Sequence, residues 1–217
     1  MAGQTDRAVK QTSAGWRSGA LMLLAGLLLC AEPAMAHHAT GGETPTTFLD
    51  GFLSGLAHPV IGLDHFAFVV AVGLLSAKQG WGPLFPVCFL LAALGGTSLH
   101  LNLVDLPAVE IAISLSVLII GLLLWSKRSL PLIGAIALGI IAGLFHGYAY
   151  GESIIGATPA PLAAYLLGFT VMQGAIALGA GWLGDRLLHH TTGRAMTLAI
   201  PGLAIAGLGL VFLLQAI

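Results

Sequence analysis

The sequence predicts an all-α integral membrane protein, with six transmembrane helices following a cleaved N-terminal signal peptide, and three observations predict it. Only 8% of the 217 residues are charged while 57% are hydrophobic, whereas soluble proteins carry about 25% charged residues. A soluble core of that composition would have nothing to cover it. Apolar runs close to the roughly 20 residues needed to cross a bilayer recur along the chain beyond residue 57. Lys and Arg, finally, fall in alternate loops, as expected for opposite sides of a membrane. The net charge of −1 and the lack of a basic stripe exclude nucleic acid as an expected partner.

Residues 1–36 read as a secretory signal. Arg7, Lys10 and Arg17 form a positive region, Leu21 to Cys30 an apolar one, and Ala34-Met35-Ala36 an A-x-A cleavage site. An uncleaved first span is the alternative. Leu29 precedes Cys30 where a lipoprotein cysteine needs a small residue, and after cleavage only Cys88 remains, so no internal disulfide is expected. Cleavage would create a new N-terminus at His37-His38, whose amine and imidazoles could chelate a divalent metal; the alternative is an exposed polar tail. Residues 37–47, with Gly41, Gly42 and Pro45, read as a periplasmic linker.

Residues 48–217 form the expected six-helix transmembrane domain. Residues 48–57 are apolar but too short to span, and read as a half-helix or an outer extension of the first span. The spans follow at about 58–77, 84–101, 107–125, 130–148, 161–183 and 197–215. Lys78, Lys127, Arg128, Arg186 and Arg194 occupy the first, third and fifth loops, which places those loops in the cytoplasm and both mature termini in the periplasm of a bacterial inner membrane. Two three-span halves would then have opposite orientations, an arrangement known from inverted-repeat transporters. Small-x-x-x-small spacing, as in Gly139 with Gly143, lets helices approach closely in lipid. Gly147 and Gly151 are read as exceptions, in an irregular backbone exposing carbonyls to an ion.

The candidate chemistry is concentrated in His58-Pro59-Val60-Ile61-Gly62-Leu63-Asp64-His65. Ionisable residues at membrane depth are costly and mark function by default. As one helix, this stretch would place His58 and His65 on one face with His65 about 10 Å deeper, and Pro59 in a first turn. With the predicted topology His58, Asp64, His65, His100, Glu110, His146 and Glu152 lie in one outer layer. Imidazole and carboxylate together suit Ni²⁺, Co²⁺ or Zn²⁺. The alternative is a metal-free polar network in which Asp64 orients an imidazole. Glu110 could equally stabilise a helix N-terminus, Glu152 could be solvated, and His100 could simply meet water. His189-His190 reads as a solvated cytoplasmic patch, with metal hand-off as the alternative.

At these residues the chain resembles the HupE/UreJ family, small membrane proteins associated with hydrogenase and urease gene clusters and regarded as nickel or cobalt permeases. H-P-x-x-G-x-D-H followed by Gly73 carries the resemblance, together with G-G-T-S-L, L-P-A-V-E and F-H-G-Y-A-Y-G-E further on. In the last motif the family often has a second His where this chain has Tyr150, which implies one imidazole fewer.

The resemblance implies a permease moving Ni²⁺ or Co²⁺ from periplasm to cytoplasm, with no prosthetic group and no catalytic residue. The expected metal residues are His58, Asp64, His65, His146, Glu152, His100, Glu110, His37 and His38. No Walker motif is present, so ATP is not the direct energy source within this chain. A zinc-dependent intramembrane hydrolase is the rival, because three histidines and Asp64 could hold Zn²⁺ with an open position; no G-x-S-x-G motif supports it. A third reading is an accessory subunit in metalloenzyme maturation. Maturation proteins or a second copy of the chain would then join the metal ion and the bilayer as partners.

Overall fold

The computed structural model describes residues 44–190 and 198–217. The signal segment, His37, His38, most of the linker and Arg194 lie outside the described residues. Among the described residues there are seven helices and no strand. These are α1 (Phe48–Ile61), α2 (Leu63–Gln79), α3 (Leu84–Leu101), α4 (Val109–Trp125), α5 (Leu132–Glu152), α6 (Pro159–His190) and α7 (Ala199–Ala216). Helices α3, α5, α6 and α7 are each long and apolar enough to cross a membrane. The other three approach that description differently: α1 and α2 pass it only as a pair bent by 79°, and α4 is apolar but has 17 residues.

The first element departs from the sequence reading. Helix α1 starts because Thr47 caps it, its Oγ1 accepting from the Asp50 N–H at 3.1 Å and donating to the Asp50 carboxylate at 2.6 Å. The acidic side chain also meets the positive end of the helix. Residues 48–61 are thus a helix in their own right, and Pro59 lies in its last turns instead of opening a span.

Helix α2 is the hub. It packs against α1, α3, α4, α6 and α7, and its residues from Ala67 to Val69 and Ala71 to Ser76 are buried. The most extensive pairings are α3 with α5, α4 with α7, and α6 with both α1 and α2. The 32 residues of α6 rise about 48 Å, enough to follow α1 through Pro161 to Phe169 and then α2 through Ala177 to Gly184.

Glycine makes these pairings. Along α5, Gly139, Gly143, Gly147 and Gly151 form one stripe against α3: a Cβ on Gly147 would stand 1.9 Å from the Ala93 carbonyl oxygen, and one on Gly143 2.7 Å from that of Phe89. On α3, Gly96 meets the Leu144 carbonyl in the same way. Thr97 closes the seam by donating to the Gly147 carbonyl at 2.7 Å. The expected irregular backbone at Gly147 and Gly151 is therefore corrected. Both lie in regular helix, where close contact leaves room for hydrogen alone.

At one end of the bundle the termini of α2, α4 and α6 surround a cavity of about 530 Å³ lined by Lys78, Lys127, Asp185 and His189. Lys78 is not a loop charge, as its place between spans suggested. Its ammonium donates to the carbonyls of Leu123 (2.7 Å), Leu124 (2.9 Å) and Ser126 (2.5 Å), the orphan acceptors at the C-terminus of α4. A cation is also favourable at that negative end.

Candidate functional site

The site is made by the break between α1 and α2. Pro59 has no N–H to give and its ring crowds the preceding turn, so α1 ends within a few residues. Gly62 then runs extended, at φ −73° and ψ 104°. Its N–H closes α1 on the His58 carbonyl at 3.3 Å, and its own carbonyl accepts the Phe66 N–H of α2 at 2.8 Å. A Cβ on residue 62 would stand 2.7 Å from Cδ2 of His65 and 3.2 Å from Oδ1 of Asp64. Glycine is needed here for space: the His65 ring folds back over the break. Asp64 accepts the His65 N–H at 2.8 Å, a charge favourable in a first helical turn.

The break corrects the geometry expected of one continuous helix. His58 ends α1 and His65 begins α2, so they share no helical face, and the separation of about 10 Å along one axis does not arise. Their ring centroids are 5.9 Å apart.

Each ring is held from behind. Nδ1 of His65 lies 2.8 Å from Nδ1 of His146, Nε2 of His146 lies 2.9 Å from Ser116 Oγ, and Ser116 donates to the Ile113 carbonyl at 2.6 Å. Nδ1 of His58 lies 3.1 Å from both Ser153 Oγ and the Tyr165 hydroxyl. That tyrosine donates to the Tyr150 carbonyl at 2.9 Å. His146, Tyr150 and Gln173 are fully buried, and Phe68 and Phe89 wall the far side of His146, at 4.3 and 6.0 Å between ring centroids. Polar groups buried this deeply are costly unless hydrogen-bonded. The imidazoles meet that condition through hydroxyl and imidazole partners.

Tyr150 does more than stand where an imidazole was expected. Its ring lies 4.9 Å from that of His58 and 4.5 Å from that of His65, so it packs against both sides of the break. Its hydroxyl reaches Gln173 Oε1 at 3.5 Å, and Nε2 of Gln173 is buried with no hydrogen-bond partner.

Of the predicted metal residues, the structure gathers His58, His65 and His146, with Asp64 half-buried beside the break. His100 is apart from them: its ring stacks 4.2 Å from Tyr148, its Cβ fills the space over Gly151, and its Nδ1 is buried with no hydrogen-bond partner. Glu110 and Glu152 are exposed, as is His189. His37 and His38 lie outside the described residues. Among the described residues no three His, Cys, Asp or Glu side chains converge on one point as a metal cage would require. The three imidazoles form a file instead.

Sequence reasoning missed Ser116, Ser153 and Tyr165, and noted Gln173 only as a polar group without an assigned task. The available signal was weak but real: polar side chains inside apolar runs, where each needs a partner.

A family profile described as HupE / UreJ protein matches residues 24–212. Protein HupE of Rhizobium leguminosarum bv. viciae is 34% identical over 191 residues, covering 82% of this chain and 95% of that protein. No solved structure matches.

Proposed function

The chain belongs to the HupE/UreJ family, and from that premise we propose that it is a permease carrying Ni²⁺ or Co²⁺ from periplasm to cytoplasm. The observation that carries the proposal is the break at Gly62, which sets two imidazoles side by side inside an apolar bundle. Discontinuous membrane helices are where transporters bind ions, because irregular backbone is tolerated only around a cavity or a packed site. His58 and His65 replace part of the hydration shell and Asp64 offsets charge. A file with few ligands fits a transported ion better than a closed cage would, since an ion must leave as well as enter.

In this reading α2 to α7 make six crossings, and α1 is the outer limb of the first. The pairings support two inverted halves: exchanging α2 with α5, α3 with α6 and α4 with α7 turns the α3/α5 pair into α6/α2 and leaves α4/α7 unchanged. The α2/α4 packing has no equally extensive counterpart between α5 and α7. The common end of α2, α4 and α6, with Lys78, Lys127 and Arg186, is cytoplasmic by the excess of positive charge. The mature termini are periplasmic after removal of the signal. An inward-negative potential of about 100 mV supplies about 4.6 kcal/mol for a divalent ion, twice the value for a unit charge.

Uptake of labelled Ni²⁺ and Co²⁺ into oriented proteoliposomes tests the proposal. The expected result is saturable uptake that His65→Ala lowers at least about tenfold, the usual scale for loss of metal-site support, in a variant that still elutes as folded protein. Flux no greater than in empty liposomes would overturn it, and metal-dependent turnover of a lipid or peptide in detergent would favour the hydrolase.

A further inference from the structure

A hydroxyl has one proton, a carbonyl can only accept, and a neutral imidazole donates from one nitrogen and accepts at the other. These three facts set the direction of the hydrogen bonds that Ser116, His146 and Tyr165 make behind the break. Ser116 spends its proton on the Ile113 carbonyl, so toward His146 it can only accept, and Nε2 of His146 carries the hydrogen. Neutral His146 then accepts at Nδ1, which makes Nδ1 of His65 the donor. Tyr165 spends its proton on the Tyr150 carbonyl, so Nδ1 of His58 is again the donor, and Ser153 Oγ is a second acceptor beside it.

We propose that Ser116, acting through His146, and Tyr165, acting directly, hold His65 and His58 in the same tautomer, with hydrogen on Nδ1 and the lone pair on Nε2. The proposal rests on the permease reading for its consequence, since a cation needs a lone pair and only Nε2 offers one. It makes His146 a positioning residue, spent on both nitrogens in orienting His65, and it adds Ser116 and Tyr165 as positioning residues for the metal-binding imidazoles. Such partners fix ring orientation and raise the basicity of the ligating nitrogen, and losing one typically costs 10–100-fold in affinity.

Two readouts separate this from a merely structural role. The first is ¹⁵N NMR of the histidine rings in the metal-free full chain, in nanodiscs at about pH 8, above the ordinary imidazole range, with signals assigned through single His→Gln variants. We expect hydrogen on Nδ1 in His58 and His65 and on Nε2 in His146; hydrogen on Nδ1 in His146 would overturn the proposal. The second is uptake kinetics. Ser116→Ala should raise the apparent KM for Ni²⁺ about tenfold with Vmax little changed, and Ser116→Thr, which keeps a hydroxyl able to bond back to the preceding turn, should restore it. Equal KM in the three proteins would overturn the relay. The expected tautomers in a protein that transports nothing would leave the positioning intact and sink the permease.

Discussion

Helix α5 has two faces that are held in opposite ways. Toward α3 it shows Gly139, Gly143, Gly147 and Gly151, which lie against the Phe85 ring, the Phe89 carbonyl, the Ala93 carbonyl and the His100 Cβ in turn, with no side chain of their own between the helices. Toward the break it shows His146 and Tyr150, with Ser153 just beyond its end, and every buried contact there involves a polar atom or an aromatic ring. Lipid chains are as apolar as leucine, so burying an apolar side chain between helices gains little; close approach and hydrogen bonds do the ordering. The glycine face uses the first and sets how deep α5 sits. The polar face uses the second and sets which way each ring points. Position and orientation are thereby decided by different residues on the same helix.

The largest effect that would sharpen this contrast comes from the seam. Gly147→Val puts a branched side chain where even a Cβ would stand 1.9 Å from the Ala93 carbonyl oxygen. A loss of about 3 kcal/mol or more is expected, at the upper end of overpacking costs, read as loss of the folded peak in detergent size exclusion. A folded Gly147→Val with normal uptake would break the contrast.

A smaller effect is expected on the polar face. Gln173→Leu removes a buried amide whose Nε2 has no partner and whose one contact, to Tyr150, is 3.5 Å long. The substitution removes the unpaired Nε2 but also the acceptor of the buried Tyr150 hydroxyl, a gain and a cost that offset each other, so the midpoint of thermal unfolding should change little. A marked fall would mean that Gln173 is bonded more strongly than its contacts indicate.

The smallest effect belongs to a glycine outside both faces. Gly179 on α6 has nothing within 4 Å of where a Cβ would go, and Gly179→Ala should stabilise by about 0.5 kcal/mol through lower chain entropy. Destabilisation would show that glycine matters on α6 for a reason other than seam packing.

Much of this was legible in the sequence. The apolar runs predicted α3 to α7 closely, and the spacing of Gly139 and Gly143 announced a close helix contact without saying which helix makes it. His58, His65 and His146 were singled out as ionisable groups at membrane depth. The half-helix was one of two readings of residues 48–57, but the break was put in the wrong place, although its signals were present: Thr47 and Asp50 mark a helix start, which places Pro59 late in α1 with Gly62 just after it. Weighting Pro59 as a helix opener moved the boundary from Gly62 back to His58. His100 was grouped with the others by depth alone, and depth says nothing about which side of a helix a ring occupies.

What the sequence determined by itself was helix formation in a membrane, because backbone hydrogen bonds within a helix join residues four apart and an apolar run has no other way to satisfy them in lipid. What the tertiary structure decided was which polar groups meet. His65 finds His146 across 81 residues, and His58 finds Tyr165 across 107. No local pattern encodes such pairs. They follow from how α2, α5 and α6 pack, and that packing rests on glycines whose partners lie on other helices.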